Sequence, residues 1–165
     1  MNTFKKWSKE ILLSLIFLFF ASIIINIIKQ PDIPNNSLQF LETNIVGKQD
    51  TIYKAPKDKA FVVVFWGSWC PICKQDLGNF SKVANKYDVI GVGVNSGSDS
   101  DITKFLKVND IVLQTINDDN GEIAQKFNVS TYPTTLIYDK DGNLKFTEVG
   151  YITTAGLKAR LKLIE

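Results

Sequence analysis

Phe65-Trp66-Gly67-Ser68-Trp69-Cys70-Pro71-Ile72-Cys73-Lys74-Gln75-Asp76 is the stretch whose reading decides the fold. It holds the chain's 2 cysteines. Upstream, Phe61 to Trp66 is an unbroken aromatic and β-branched run, the pattern of a strand buried on both faces. Downstream the period changes, and Leu77, Phe80, Ala84 and Tyr87 recur at helical spacing. Pro71 then stands at the first helical position, where its missing N–H is no loss. Cys70 becomes the N-cap, its sulfur aimed at the free N–H groups of Ile72 and Cys73. The positive end of the helix favours a thiolate there and lowers the pKa of the thiol. Cys73 follows one turn on, within reach of a disulfide. The pattern suits thiol–disulfide exchange.

Two rival readings of the pair are weaker. A structural zinc ion needs four ligands, usually Cys and His. This chain has 2 Cys and 0 His, so a partner chain or carboxylates would have to complete the site. A purely structural disulfide would close so short a loop that it removes little entropy from the unfolded chain. A copper-binding dithiol protein, using both sulfurs as soft ligands, stands as an alternative function.

Trp66-Gly67-Ser68-Trp69-Cys70-x-x-Cys73-Lys74 resembles the active site of thioredoxin-fold proteins. Within them it is most similar to the membrane-tethered extracytoplasmic branch (TlpA-like redoxins) that includes the cytochrome c maturation and suppressor-of-copper-sensitivity types. The likeness runs from about Leu38 to the C-terminus and is carried by that block and by Tyr132-Pro133-Thr134. It implies an α/β thioredoxin fold with an N-terminal β-hairpin extension, and a thiol:disulfide oxidoreductase of the protein-disulfide reductase type. It also implies that the only redox group is the Cys70–Cys73 disulfide, with no other cofactor and no metal. A thiol peroxidase of the peroxiredoxin type shares the fold. It wants Thr three residues before its Cys and Pro seven before, where this chain has Gly67 and Val63.

The front of the chain is a separate matter. Residues 1–10 are short and polar, a cytoplasmic N-terminus in this reading. Ile11 to Ile28 is almost wholly apolar, interrupted by Ser14, Ser22 and Asn26. A helix of that length rises about 27 Å, near the thickness of a bilayer core. A cleaved signal peptide has a shorter apolar region of about 7–15 residues. The candidate cut after Ala21 also has Phe19 where a small residue belongs. One uncleaved transmembrane helix over residues 11–28 is the expectation. Three lysines (Lys5, Lys6, Lys9) against Glu10 give the first ten residues +2, the net charge of the whole chain, so the remainder is formally neutral. Nothing then favours nucleic-acid binding. The positive-inside rule puts the body outside the cytoplasm, on the periplasmic or extracytoplasmic side of a bacterial inner membrane. That is a compartment in which dithiol enzymes have substrates.

Residues 29–37, with Pro31, Asp32, Pro34, Asn35 and Asn36, form a linker to a thioredoxin-like domain over residues 38–165. Leu38 to Val46 and Thr51 to Tyr53 read as two short strands, joined by a turn at Gly47-Lys48-Gln49-Asp50. After the dithiol helix, which runs to about Tyr87, Val89 to Val94 is a buried strand. Asn95 to Ser100 is a plain surface loop in which Ser100 caps a helix through Val108. Ile111 to Ile116 is a short strand. Asp118-Asp119-Asn120-Gly121 lacks calcium-ligand spacing and is a turn before a helix over Glu122 to Phe127. Thr134 to Tyr138 and Leu144 to Val149 pair across the Asp141-Gly142 turn. Thr154 caps a last helix carrying Leu157, Leu161 and Ile164.

At the site, Cys70 is the attacking sulfur and Cys73 the resolving one. Pro71 and Ile72 tune the potential and, with Trp69, meet the client. Pro71-Ile72 lacks the histidine of strongly oxidising enzymes, while a proline after the first Cys argues against a strongly reducing site. A potential of roughly −150 to −250 mV follows. From sequence alone Pro133 is a loop proline before a strand. The resemblance implies a cis peptide facing the dithiol, with Thr131 or Tyr132 offering backbone groups to a bound client. It also implies that Asp76 assists proton transfer at Cys73, against the alternative of a solvated helix carboxylate. Val64 stands where thioredoxins bury an acid, and Gly78 where the family has a helix-kinking proline. The expected partners are client proteins with cysteines or disulfides, the membrane through residues 11–28, and a membrane electron donor. A disulfide-forming oxidase is the opposite direction of the same chemistry.

Overall fold

The computed structural model describes residues 7, 10–18, 20–21, 24, 30–48 and 51–164. The chain divides into two compact units, Met1–Gln30 and Pro31–Glu165. In the first, residues 10–18, 20–21 and 24 are helical, and Ile11 to Leu18 are exposed. Among the described residues no helix is long and apolar enough to cross a membrane, and residues 19, 22, 23 and 25–28 of the segment expected to span it lie outside them.

The second unit is built around β1, Phe61–Trp66, every residue of which is buried. The apolar run allows this because successive side chains point to opposite faces and each face is covered. Val62, Val64 and Trp66 pack with Cys73, Leu77 and Phe80 of α1 (Pro71–Ala84) and with Ile102 of α2 (Asp99–Val108). Leu157 and Leu161 of α4 (Thr154–Lys162) complete that cluster. Phe61, Val63 and Phe65 pack on the other face with Leu41 and Ile45, and with Phe127 after α3 (Glu122–Lys126). Beside β1 lie β2 (Asp88–Val94), β3 (Gln114–Asp118), β4 (Thr134–Tyr138) and β5 (Leu144–Val149). Their order is β3-β2-β1-β4-β5, with β1, β2 and β3 parallel and β4 and β5 antiparallel to their neighbours. This is a mixed α/β thioredoxin-like sheet, with the carboxyl end of β1 delivering the dithiol.

Several local expectations are corrected. Ser37–Leu41 is a 3-10 helix, which buries Leu41 completely. The hairpin shrinks to one isolated bridge, Asn44 to Ile52, while Ile45 bridges instead to Ile116 on the edge of β3. Leu38 and Leu41 are three apart, and one helical turn sets both towards the second core face, which alternation along a strand would not do. Part of the intended turn, Gln49 and Asp50, lies outside the described residues. The strand predicted from Ile111 begins only at Gln114, because Val112 bonds through its N–H and its carbonyl to Ser81 Oγ on α1, not to the sheet. The dithiol helix ends at Ala84, and α3 at Lys126. Ser98 caps α2 in a reciprocal capping box with Asp101, so Ser100 is already inside the helix. Thr153 caps α4, because the Thr154 hydroxyl is engaged elsewhere.

Gly91 lets the indole of Trp66 lie against β2. A Cβ there would stand 2.8 Å from Trp66 Nε1 and 3.0 Å from both Leu113 Cδ2 and Thr115 Oγ1. Gly91→Ala is therefore expected to destabilise the fold by about 1–3 kcal/mol through overpacking. Urea unfolding monitored by tryptophan fluorescence checks this, and an unchanged midpoint would mean that β2 yields without cost.

Candidate functional site: the Cys70–Cys73 dithiol

β1 ends at Trp66, and the chain turns through Gly67-Ser68-Trp69 before α1 begins. The turn is closed by a hydrogen bond from the Cys70 N–H to the Gly67 carbonyl at 3.1 Å. A Cβ on Gly67 would come within 2.5 Å of the Trp69 indole, so any other residue here would have to displace that ring. Cys70 is the N-cap of α1, and Pro71 is the first helical residue. The two sulfurs form a disulfide. Cys70 Sγ accepts from the N–H of Cys73 at 3.2 Å; no bond from Ile72 accompanies it, so one of the two donors expected from sequence is used. The helix N-terminus favours negative charge on Cys70 once it is reduced.

The surroundings separate the cysteines. Cys73 is fully buried and Cys70 nearly so, while its neighbours Trp69 and Ile72 are 55% and 52% exposed. Pro71 is exposed as well. An incoming sulfur can thus approach along the Cys70 side, over an apolar rim. Trp69 is fixed by a hydrogen bond from its indole N–H to the Val94 carbonyl at 3.1 Å. Its ring meets Tyr132 edge-on, with centroids 5.5 Å apart.

The Tyr132–Pro133 peptide is cis, the isomer that the resemblance implies. The Tyr132 carbonyl stands 3.8 Å from Cys70 Sγ. In the disulfide that is a contact; a reduced Cys70 thiol has a proton to donate to it. The Thr131 carbonyl is occupied by the Thr134 hydroxyl at 2.7 Å, and the Pro133 carbonyl by the Gly150 N–H at 2.8 Å. Of the carbonyls near the cis bond, that of Tyr132 is the one turned to the sulfur.

Asp76 is not a solvated helix carboxylate: it is completely buried, three residues after Cys73 on the same face of α1. Its Oδ1 accepts from the Ile152 N–H at 3.2 Å and, over a long 3.4 Å, from Asn79 Nδ2. Its Oδ2 is buried without a protein partner. Burial pushes the carboxyl up to about 6, against the two donors, which pull it down. A buried carboxyl with a raised pKa is thereby placed one turn along α1 from Cys73. Val64, in the place where thioredoxins bury an acid, is itself buried in the same core cluster.

Two contributors escaped the sequence. Ser96, in what reads as a plain loop, is buried; its Oγ accepts from the Ser68 N–H at 2.9 Å and donates to the Val94 carbonyl at 3.1 Å. It ties the dithiol turn to the end of β2. Asn79, three residues after Asp76, is the other. Its spacing was a usable signal; for Ser96 only tertiary contact gives one.

A thioredoxin-like sheet with an N-capping cysteine, a buried second cysteine and an adjacent cis-proline defines a thiol:disulfide oxidoreductase. The chain belongs to the AhpC/TSA family, whose model matches residues 31–147. It is 28% identical over 153 residues to a thioredoxin-like protein of Haemophilus influenzae, with 91% of each chain covered. It is 28% identical over 137 residues to the sporulation thiol-disulfide oxidoreductase A of Bacillus subtilis, covering 79% of this chain and 80% of that one. Among solved structures, the exposed lipoprotein thioredoxin of Streptococcus pneumoniae superposes with a TM-score of 0.58 at 28% identity, over 65% of this chain and 86% of that one.

In the reduced protein, Cys70 is expected to alkylate with iodoacetamide at neutral pH at least about tenfold faster than Cys73, because it combines access with the helix terminus. Mass spectrometry of the singly labelled peptide reads this, and equal labelling would overturn the geometry. Asp76 carries a second expectation. Its folded value, about 6, lies above the ordinary 3.8, so the folded state holds the proton more tightly. Its contribution to stability is complete below about pH 4 and lost as pH rises through about 6. Relative to Asp76→Asn, the natural protein should lose on the order of 3 kcal/mol between pH 4 and pH 7. Urea titrations of both proteins across that range measure it; a constant difference would contradict the raised carboxyl.

Proposed function

We propose that the protein reduces or isomerises disulfides of client proteins outside the cytoplasm, tethered to the membrane by residues 11–28 and kept reduced by a membrane electron donor. The observation that carries the reading is the different setting of the two sulfurs: Cys70 at the helix N-terminus, beside the Tyr132 carbonyl and the exposed Trp69 and Ile72, and Cys73 fully buried one turn along with Asp76.

The Cys70 thiolate attacks one sulfur of a client disulfide. A mixed disulfide forms, and the other client sulfur leaves as a thiolate that takes a proton from water. Trp69, Ile72 and Pro71 supply apolar surface, and the backbone at Thr131-Tyr132, before the cis-Pro133, lies alongside the approaching segment. Cys73 then gives its proton to Asp76 and attacks Cys70 Sγ, which expels the second client thiolate. Two electrons have passed to the client, and Cys70–Cys73 is left as the disulfide for the donor to reduce. In isomerisation another thiol of the client attacks the client sulfur of the mixed disulfide instead, forming a new client disulfide and expelling the Cys70 thiolate, and no net electrons pass. Tethering is supported by the apolar run after Lys5, Lys6 and Lys9. The location is supported by the pneumococcal neighbour, described as an exposed lipoprotein.

The test is a Cys73→Ser variant in cells that are acid-quenched and then alkylated with a mass tag. It should accumulate a mixed disulfide through Cys70 in the membrane fraction, digestible by protease added to spheroplasts. The natural protein in the same cells should be mostly dithiol. A natural pair found mostly disulfide-bonded in growing cells would make the protein an oxidase and sink the reductase reading.

A further inference from the structure

Asn79 shares its amide among three groups. Its Nδ2 donates to the Ile152 carbonyl at 3.0 Å and, more weakly, to Asp76 Oδ1 at 3.4 Å. Its Oδ1 accepts from the Thr154 hydroxyl at 2.8 Å, and the Ile152 carbonyl, which can only accept, fixes which end of the amide faces which partner. The Ile152 peptide is thus held at both ends, its carbonyl by Asn79 and its N–H by Asp76 Oδ1 at 3.2 Å. All of this is buried or half-buried, and every donor it sends to the carboxylate arrives at Oδ1, leaving Oδ2 without a partner. The segment in question follows β5, whose end is also bonded to the cis-proline through the Gly150 N–H.

We propose that Asn79, braced by Thr154, is a positioning residue: by clamping the Ile152 peptide it holds that N–H on Asp76 Oδ1 and leaves Oδ2 as the oxygen that exchanges the proton. The inference rests on the reading of Asp76 as the acceptor of the Cys73 proton. Asn79, one turn further along the same helix face, binds the carbonyl of the residue whose N–H meets Asp76 Oδ1, so both side chains hold the loop after β5 at Ile152.

The charged surroundings leave burial and the opposing pull of the clamp to set the carboxyl. On α1 the ionisable neighbours are Cys73, in the disulfide, and Lys74, which is exposed. On the loop Tyr151 is exposed, and on α4 Lys158 and Lys162 are exposed. Arg160 of α4 is paired with Glu148 of β5. None of them is among the causes that move Asp76, which are burial, the Ile152 N–H and Asn79. Donors to a carboxylate favour its charged form, so loosening the clamp drives the proton on.

The experiment uses the full chain in detergent micelles, with Asn79→Ala, Thr154→Val and Thr154→Ser variants whose folding is checked by thermal melts. Carbon-detected NMR follows the Asp76 carboxyl in the oxidised protein. In parallel, the resolution rate of a mixed disulfide between Cys70 and a model peptide is measured against pH. Asn79→Ala and Thr154→Val should move the carboxyl midpoint upward by about half a pH or more, with Thr154→Ser restoring it. Thr154→Val keeps the Asn79 amide, so it decides the matter should Asn79→Ala fail to fold. A midpoint at the natural value in a folded Thr154→Val or Asn79→Ala protein overturns the proposal. The rate profile tests the underlying reading separately. If it ignores the carboxyl midpoint in every variant, Asp76 is not the acceptor, whatever the clamp does.

Discussion

The site depends on one constraint: the change from strand to helix between Trp66 and Pro71 has to happen at the edge of the core. β1 is buried on both faces up to Trp66, so the sulfur that follows is delivered from a fully buried strand at the centre of the sheet. Pro71 forces the helix to begin there, since it has no N–H to offer a preceding turn. Cys70 is left at the junction, with its sulfur on the Cys73 N–H. One residue later its sulfur would be inside the helix and lose that donor. One earlier it would sit in the turn that Gly67 and Trp69 fill.

Around that junction the protein spends secondary contacts on orientation. Ser96 and the Trp69 indole converge on the Val94 carbonyl, which fixes the turn to the end of β2. The loop after β5 is bonded to both the cis-proline and Asp76. The attacking side of the dithiol is thus framed by the end of β2 and the segment before β4. The resolving side is framed by α1 and the segment after β5. That division suits the separate tasks proposed for the two sulfurs, one meeting a client and the other losing a proton in a dry environment. A buried carboxylate normally carries a cost in stability. Here the cost falls on the side where the proposed resolution step calls for a proton acceptor.

Much of this was legible. The uninterrupted run into Trp66, the shift to helical spacing after Pro71, and the absence of histidine left a redox dithiol as the simplest account of Cys70 and Cys73. The pattern at Tyr132-Pro133-Thr134 was legible only through a resemblance, because most X-Pro bonds are trans. Asp76 could be read as exposed or buried, since an acidic residue at helical spacing gives no sign of which face will be covered. The hairpin at Leu38 to Tyr53 failed for a related reason. A short apolar segment is compatible with either period until the surface it must cover is known.

By itself the sequence determined the order of the elements around the dithiol, the N-capping position of Cys70 and the chemistry of the pair. These follow from local periodicity and from the conformational limits of proline, which act within a turn or two of chain. Only the tertiary structure decided that Asp76 is dry, that Asn79 and Thr154 hold its neighbour, and that Ser96 secures the active-site turn. Those facts join residues 28 to 76 positions apart, and side chains so distant in sequence meet through the packing of α1, β2 and the loop after β5. Burial and pairing across such distances set the charge state of a carboxyl. No local pattern encodes them, because the same residues on an open helix face would be solvated.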